Sequence, residues 1–133
     1  MLGHSDADVV LHVVSESIIG GLGLGDLGTF FPDKDPQYKN KESSYFVREV
    51  VSMMREKGYS VNNIDITIYL EKPILTSYKP LMKKHISDLL QIKPELVNVK
   101  ATRGEGLGYI GRGEGISAEA VVLLKHDGYL KKL

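Results

Sequence analysis

Cysteine and tryptophan are absent from this chain of 133 residues. Without cysteine there is no disulfide and no thiolate ligand, so any metal must be bound by imidazole and carboxylate groups. A charge of one sign is also lacking, because 17 basic side chains balance 17 acidic ones. This balance argues against nucleic acid and anionic membranes as partners. No apolar run approaches the roughly 20 residues that span a bilayer, and the N-terminus does not resemble a signal peptide. We therefore expect a cytoplasmic protein.

Length and composition predict one soluble globular domain over residues 1–133. The apolar fraction of 42% and the charged fraction of 26% are ordinary for such domains. A chain of this length can bury a real core and is too short for two ordinary domains.

The hydrophobic pattern predicts an α+β fold. Helices are expected at about residues 6 to 20 or 22, at 43 or 44 to 58, and at 80 to 90, with a loop from 23 to 41. Strands are expected at 64–70, 97–102 and 116–125. The apolar run 121–124 predicts that the last strand is covered on both faces. The order α-α-β-α-β-β indicates a small mixed β-sheet with helices layered on one face. Three strands are few for so much helix, which indicates a missing N-terminal strand, subunit association, or both.

The segment from His4 to His12 carries two imidazoles and the carboxylates of Asp6 and Asp8. Ser5 or Asp6 is the expected N-cap, which puts His4 just before the helix, near its positive dipole end, where phosphates bind. Asp8 and His12 are four residues apart and share a helix face. One imidazole that binds a metal and another that meets a phosphate would suit this layout. Taken alone, however, the segment favours a structural alternative, a buried His12 hydrogen-bonded to Asp8.

Two loops carry further polar groups. Residues 23–28 match G-x-G-x-x-G, but they follow a helix rather than a strand, so we reject a dinucleotide site. Asp26, Asp33 and Asp35 could accept hydrogen bonds from sugar or polyol hydroxyls. The alternative for the segment 31–36 is a pair of Asp/Pro turns.

The glycine-rich region after residue 101 suits anions and a cation. Thr102 and Arg103 are phosphate donors, and Glu105 offers the hard oxygen that Mg²⁺ prefers. The segment 111–115 could bind another anion, but we favour an Arg–Glu pair at a subunit contact. Together the motifs describe a divalent metal, a diphosphate and a hydroxylated organic group.

As a set, these motifs resemble the 2-C-methyl-D-erythritol 2,4-cyclodiphosphate synthases of the non-mevalonate isoprenoid pathway. The resemblance covers residues 3 to about 125, with its motifs in family order. The matching segments are His4–Asp8 with His12, 25–28, 31–36, 98–102, Glu105 with 107–108, and 111–115.

The resemblance implies a homotrimer whose active sites lie between subunits and take a cytidine diphosphate substrate. The ribose would lie at residues 26–28, the methylerythritol part at 31–35, the cytosine at 70–76 of the adjacent subunit, and the diphosphate at 102–105. The implied substrate-binding residues are His4, Ser5, Asp26, Leu27, Gly28, Phe31, Pro32, Asp33, Lys34, Asp35, Leu70, Glu71, Lys72, Pro73, Ile74, Leu75, Thr76, Thr102, Arg103, Gly104, Glu105, Tyr109 and Arg112. Of these, Tyr109 and Arg112 match positions near the threefold axis.

The resemblance also implies the metals and the reaction. His12 would bind Zn²⁺, Glu105 would bind Mg²⁺ or Mn²⁺, and His4 and Arg103 would be the catalytic residues. The 2-phosphate of 4-diphosphocytidyl-2-C-methyl-D-erythritol 2-phosphate attacks its own β-phosphorus, and CMP leaves.

Two features depart from the family pattern. The family's Asp-x-His pair, which supplies two zinc ligands from an N-terminal strand, is not in this sequence, and the family usually has threonine at the position of Arg103. We therefore expect a missing upstream segment, which leaves a plastid location open. One alternative is a catalytically silent trimeric nucleotide-binding module with an incomplete metal site. An unrelated metal-dependent phosphohydrolase is less favoured, because it would need further His/Asp clusters.

Overall fold

A computed structural model of the chain describes residues 4–70, 78–102, 108 and 116–128, with side chains from residue 7 onward. Its helices are α1 (His4–Gly21), α2 (Leu27–Phe30), α3 (Ser43–Glu56) and α4 (Lys79–Leu90). Its strands are β1 (Tyr59–Tyr69), β2 (Val97–Thr102) and β3 (Ser117–His126), and short 3-10 turns occupy Pro36–Tyr38 and Pro94–Leu96.

The described strands form one mixed sheet in the order β2-β1-β3. Strand β1 pairs in parallel with β2, with Ile64 opposite Val97 and Tyr69 opposite Thr102. It pairs antiparallel with β3, with Tyr69 opposite Ser117. A parallel pair needs a crossover connection, and α4 supplies it between β1 and β2. The predicted α+β architecture with a small mixed sheet is confirmed.

The core lies between the helices and one face of this sheet. Ile64, Ile66 and Ile68 alternate along β1 and are at most 1% exposed, so one face of the central strand is fully covered. The helices contribute apolar residues at helical spacing, namely Val10, Leu11, Val14, Ile18 and Ile19 from α1, and Val47, Val50, Val51 and Met54 from α3. The contacts of α1 with β3, of α3 with β1 and of α4 with β2 make up this layer.

Most predicted elements are present, with corrections at their ends. Helix α1 begins at His4 rather than near residue 6, so Ser5 and Asp6 are not N-caps and His4 does not precede the helix. Acidic and hydroxyl side chains are also favourable within a first turn, where they meet the positive end of the dipole. Strand β1 starts earlier than predicted, at Tyr59, because it continues through a bulge between Val61 and Asn63 that the alternating pattern does not show.

The predicted loop 23–41 is partly helical. Asp26 caps α2 and Asp35 caps the turn Pro36–Tyr38, each through its own side chain. Side-chain caps of this kind stabilise a single helical turn. Such a turn is too short to show a periodic apolar pattern in the sequence.

The last strand differs from prediction in its burial. Val121 is 71% exposed and Leu123 is 59% exposed, whereas their neighbours Val122 and Leu124 pack against the core. The expectation that β3 is covered on both faces is therefore wrong for the described chain. The helices cover one face of the sheet, and among the described residues nothing is layered on the other.

Among the described helices, none has the length and apolar character needed to cross a lipid bilayer.

Candidate functional site

His12 lies on an exposed face of α1, next to Glu16. The His12 side chain is 59% exposed, and its Nε2 atom is 3.7 Å from Glu16 Oε1, one helical turn further on. The two residues have the i,i+4 spacing that brings side chains together on a helix surface. The imidazole is therefore open to a ligand on one side and has a carboxylate on the other.

Asp8, the other carboxylate one turn from His12, points to a different element. The hydroxyl of Ser43, at the start of α3, donates a hydrogen bond to Asp8 Oδ1 at 2.7 Å. This bond joins the N-terminal parts of α1 and α3. The structural alternative of a buried His12 hydrogen-bonded to Asp8 is wrong on both counts, because His12 is exposed and Asp8 binds Ser43.

The loop after α1 brings Asp26 and Leu27 beside this face. Glu16 Oε1 accepts a hydrogen bond from the backbone N–H of Leu27 at 3.0 Å. Asp26 Oδ1 accepts bonds from the backbone N–H of Thr29 at 3.0 Å and from the Thr29 hydroxyl at 2.8 Å. Both described bonds use one carboxylate oxygen, which leaves Asp26 Oδ2 to accept a hydroxyl. The loop is thus fastened at Leu27 and stiffened by Asp26.

Gly23 and Gly25, two glycines of the G-x-G-x-x-G match, have a structural role. Their φ angles are +71° and +93°, in the left-handed region that glycine adopts without steric cost. They therefore turn the chain between α1 and α2, in agreement with our rejection of a dinucleotide motif.

Phe31 and Asp35 are held by the fold of the segment 31–38. The ring of Phe31 makes edge contacts with Tyr38 and Phe46, with centroids 5.2 and 5.1 Å apart. Asp35 accepts hydrogen bonds from the backbone and side-chain amides of Gln37, at 3.1 and 2.9 Å. Asp35 therefore forms the predicted turn, whereas Pro32, Asp33 and Lys34 are exposed.

Two predicted substrate-binding residues, Leu70 and Thr102, meet at the carboxyl ends of β1 and β2. The backbone N–H of Leu70 donates to the carbonyl oxygen of Thr102 at 3.0 Å. Leu70 and Thr102 thus lie side by side at the sheet edge, because parallel strands end at the same edge. Glu71 to Thr76, Arg103 to Glu105, Tyr109 and Arg112 lie outside the described residues. So do the side chains of His4 and Ser5.

The outer face of the sheet carries a polar network beside Val121 and Leu123. Asp65 accepts hydrogen bonds from Lys100 Nζ at 2.7 Å and from Asn98 Nδ2 at 2.9 Å. These bonds hold the pKa of Asp65 below its ordinary value. The hydroxyl of Tyr69 donates to Glu119 Oε1 at 2.6 Å, which raises the pKa of Tyr69. This face thus combines exposed apolar side chains with fixed polar pairs.

A zinc ion at His12 would need further ligands. A catalytic zinc ordinarily has three protein ligands, and the described part of the chain contains no cluster of three metal-binding side chains. The exposed imidazole of His12 fits one ligand position, and an adjacent carboxylate is typical of histidines that bind zinc. The described residues therefore provide one candidate zinc ligand, His12, and not a complete zinc site.

Two open grooves lie elsewhere on the described surface. One, of about 760 Å³, runs between the start of β1 and the turn after α4, and includes Arg55, Gln91, Lys93 and Lys125. The other, of about 430 Å³, lies between α1 and the start of α3, and includes Asp8, Ser43 and His85. None of the residues that line either groove is one of the predicted substrate-binding or metal-binding residues.

Sequence reasoning did not single out Glu16. Its spacing of four residues from His12 is a usable signal, but Asp8 has the same spacing in the other direction. Only the contacts of Ser43 and Leu27 distinguish the two carboxylates.

Comparison with known proteins supports the family resemblance. A family model described as the YgbB family matches residues 1–125. The 2-C-methyl-D-erythritol 2,4-cyclodiphosphate synthase of Alkaliphilus metalliredigens is 50% identical over 122 residues, which cover 92% of this chain and 77% of that protein.

Solved structures share the fold. The bifunctional IspDF from Campylobacter jejuni matches with a TM-score of 0.84 and 37% identity over 89% of this chain, which spans 32% of that longer protein. The IspF of Plasmodium falciparum, in its CDP complex, matches with a TM-score of 0.80 and 33% identity, covering 94% of this chain and 75% of that one. The chain therefore belongs to the YgbB family, the family of the 2-C-methyl-D-erythritol 2,4-cyclodiphosphate synthases.

Proposed function

We propose that this chain converts 4-diphosphocytidyl-2-C-methyl-D-erythritol 2-phosphate into 2-C-methyl-D-erythritol 2,4-cyclodiphosphate and CMP. The observation that carries the proposal is the identity of 50% with a synthase of that name over 92% of the chain. The bacterial source of that relative supports a cytoplasmic location.

The reaction is an intramolecular phosphoryl transfer. An oxygen of the 2-phosphate forms a bond to the β-phosphorus, and the bond from that phosphorus to the bridging oxygen of CMP breaks, so that CMP carries the electron pair away. Such a transfer requires little covalent help from the protein and much positioning and charge neutralisation. The role of the chain is to fold the substrate so that its two ends meet.

The nucleotide part of the substrate would bind at Asp26 and Gly28. Asp26 Oδ2 is available for a ribose hydroxyl, while Oδ1 keeps the loop in place through Thr29. The CDP complex of the Plasmodium falciparum IspF supports a cytidine nucleotide as the ligand class. Residues 70–76 of the adjacent subunit would receive the cytosine, and residues 31–35 would cover the methylerythritol part.

The phosphates would lie beside Thr102, Arg103 and Glu105. Thr102 ends β2 and is exposed at the sheet edge, which supports a role in binding solvent-accessible phosphate. His4 and Arg103 would donate to the phosphate oxygens as charge moves during the transfer. A divalent cation, held through Glu105 or through His12, would neutralise charge on the diphosphate when bound.

The assembly we propose is a homotrimer with its active sites between subunits. Val121 and Leu123 support it, since large apolar side chains exposed side by side on a sheet are typical of an interface. The predicted site residues that the structure describes line neither of the two grooves found on the described surface. A site completed by a neighbouring subunit is consistent with this distribution.

The test is CMP release from the cytidine substrate with Zn²⁺ and Mg²⁺ present, with the phosphorus products followed by ³¹P NMR. We expect CMP and the cyclic diphosphate to form in equal amounts. Asp26→Ala should reduce turnover, and Glu56→Gln, an exposed carboxylate on α3, should not. A folded sample that binds CDP but releases no CMP would instead identify a silent nucleotide-binding module.

A further inference from the structure

The segment 31–38 is closed at its two ends by aromatic rings. Phe31 and Tyr38 pack edge to face, with ring centroids 5.2 Å apart. Phe46, near the start of α3, contacts both of them, with its ring centroid 5.1 Å from that of Phe31 and 6.1 Å from that of Tyr38. All three residues are half-buried. The rings therefore form a triangle in which each ring contacts the other two.

The hydrogen bonds of the segment 31–38 shape it locally. The backbone N–H of Tyr38, for example, donates to the carbonyl oxygen of Asp35 at 3.1 Å. Among the described residues, every hydrogen bond recorded for this segment stays within residues 27–41. These bonds fix turns but do not join the segment to the sheet or to α3. The ring contacts with Phe46 make the connection to α3.

The part of the segment between the closed ends faces solvent. Pro32, Asp33 and Lys34 are exposed. A compact surface loop whose ends are held together by its own side chains is a common form of functional loop. In the proposed function, residues 31–35 cover the methylerythritol part of the substrate. Closing the ends limits the conformations of the exposed part, so that less ordering remains to be done when the substrate binds.

The loop proposed for the nucleotide part is held by different contacts. Glu16 accepts the Leu27 N–H at 3.0 Å, and Asp26 accepts the Thr29 N–H at 3.0 Å. Neither bond involves a ring of the aromatic triangle. The two parts of the substrate would therefore be bound by loops with separate supports.

We infer that Phe46 is a positioning residue that holds the segment 31–38 closed and thereby sets the affinity for the methylerythritol part of the substrate. The inference rests on the proposed function for the identity of that part, whereas the closure rests on the ring contacts. Without the Phe46 ring the segment opens for part of the time, and the apparent affinity falls with the closed fraction. A bound substrate restores the closed form, so KM rises while kcat is kept.

Three substitutions at Phe46 test the role of its ring. Phe46→Ala removes both contacts with the segment 31–38. Phe46→Leu keeps apolar volume without a ring and serves in place of Phe46→Ala if that variant does not fold. Phe46→Tyr keeps the ring and should behave like the unmodified chain. Tyr59→Ala is the matched control, because Tyr59 is a half-buried ring at the start of β1 whose edge contact, at 4.8 Å, is with His126.

Three measurements on the full chain follow these variants. They are KM and kcat for CMP release, CDP affinity by calorimetry, and the rate of trypsin cleavage after the exposed Lys34 and Lys39, which requires local opening. Loss of two aromatic pairs corresponds to about tenfold in an equilibrium constant. We therefore expect Phe46→Ala to raise KM about tenfold and to speed cleavage by a similar factor. The values of kcat and CDP affinity should change little. Phe46→Leu should act in the same direction, and Phe46→Tyr and Tyr59→Ala should change neither KM nor cleavage.

The outcomes distinguish this inference from the proposed function. If the unmodified chain releases no CMP, the proposed function fails and the substrate part of the inference fails with it, while trypsin cleavage still decides whether Phe46 closes the segment. If the unmodified chain is active but folded Phe46→Ala and Phe46→Leu match Tyr59→Ala in KM and cleavage, the inference is wrong and the proposed function stands. Faster cleavage with an unchanged KM, or an equal loss of CDP affinity, would also overturn it.

Discussion

The Ser43 hydroxyl donates a hydrogen bond to Asp8 Oδ1 at 2.7 Å and so joins the starts of α3 and α1. Asp8 is therefore bonded to α3 rather than to His12, although Asp8 and His12 are four positions apart on the same helix. His12 is left beside Glu16, which also binds the backbone of the next loop. One contact between helices therefore changes which carboxylate belongs to the candidate site.

We expect the exposed apolar pair on β3 to hold subunits together. In the described chain Val121 is 71% exposed and Leu123 is 59% exposed. The substitutions Val121→Lys and Leu123→Lys place a charge at these two positions. In a trimer those positions would be buried, and an unpaired buried charge is costly. Sedimentation velocity should find the unmodified chain trimeric and the variants smaller.

Leu81→Lys is the control for this experiment. Leu81 is 69% exposed on α4, on the helical side of the sheet. It should leave the sedimentation coefficient unchanged. A trimer that survives both β3 substitutions would show that this face is not the interface.

Phe31 should be needed for the fold of its segment as well as for substrate. Phe31→Ala removes the edge contacts with Tyr38 and Phe46. We expect a loss of about 2 kcal/mol in the free energy of unfolding, below the value for a fully buried ring because Phe31 is half-buried. Urea denaturation measures the loss, and Phe31→Leu, which keeps apolar volume, should lose less. Equal stability of all three proteins would mean that the ring contacts contribute nothing.

Asp65 should make stability depend on acid pH. The hydrogen bonds from Lys100 and Asn98 lower the pKa of Asp65 in the folded state. A carboxylate with a lowered folded pKa stabilises the protein above its unfolded value of about 3.9, and this contribution disappears as the pH falls through the folded value. The Tm difference between the unmodified chain and Asp65→Asn should therefore be present at neutral pH and shrink as the pH falls below about 4.

Glu56→Gln serves again as the control for the pH experiment, since no bond to the Glu56 side chain is recorded in the described part of the chain. The Tm difference between the unmodified chain and Glu56→Gln should be small, and it should not shrink with falling pH as the difference for Asp65→Asn does. A difference for Asp65→Asn that stays constant from neutral to acid pH would show that the ionised carboxylate is not the stabilising form.

Glu105 should matter for turnover more than for folding. In the proposed function it binds Mg²⁺ or Mn²⁺, so Glu105→Ala should reduce kcat for CMP release strongly while the Tm changes little. Titration with excess Mg²⁺ should restore part of the rate if the loss is one of metal affinity. Comparable losses of rate and Tm would mark Glu105 as a structural residue.

Much of the fold could be predicted because local patterns carry it. The spacing of Val47, Val50, Val51 and Met54 specifies a helix with one buried face, and the alternation of Ile64, Ile66 and Ile68 specifies a half-buried strand. The bounds of β2 and the end of α3 before Gly58, whose φ is +84°, follow from equally local signals. Both the family and the fold class are confirmed.

The sequence by itself determined the α+β class, the core faces, the absence of thiolate chemistry and the family. These depend on residue type and on short-range spacing, which a chain carries before it folds. Only the tertiary structure decided that Asp8 binds Ser43, that Glu16 fastens Leu27, that Leu70 leaves the sheet beside Thr102, and that one face of β3 is open. Each of these features depends on which elements pack together. The spacing of residues along the chain does not specify that packing, because the same spacing is compatible with different contacts.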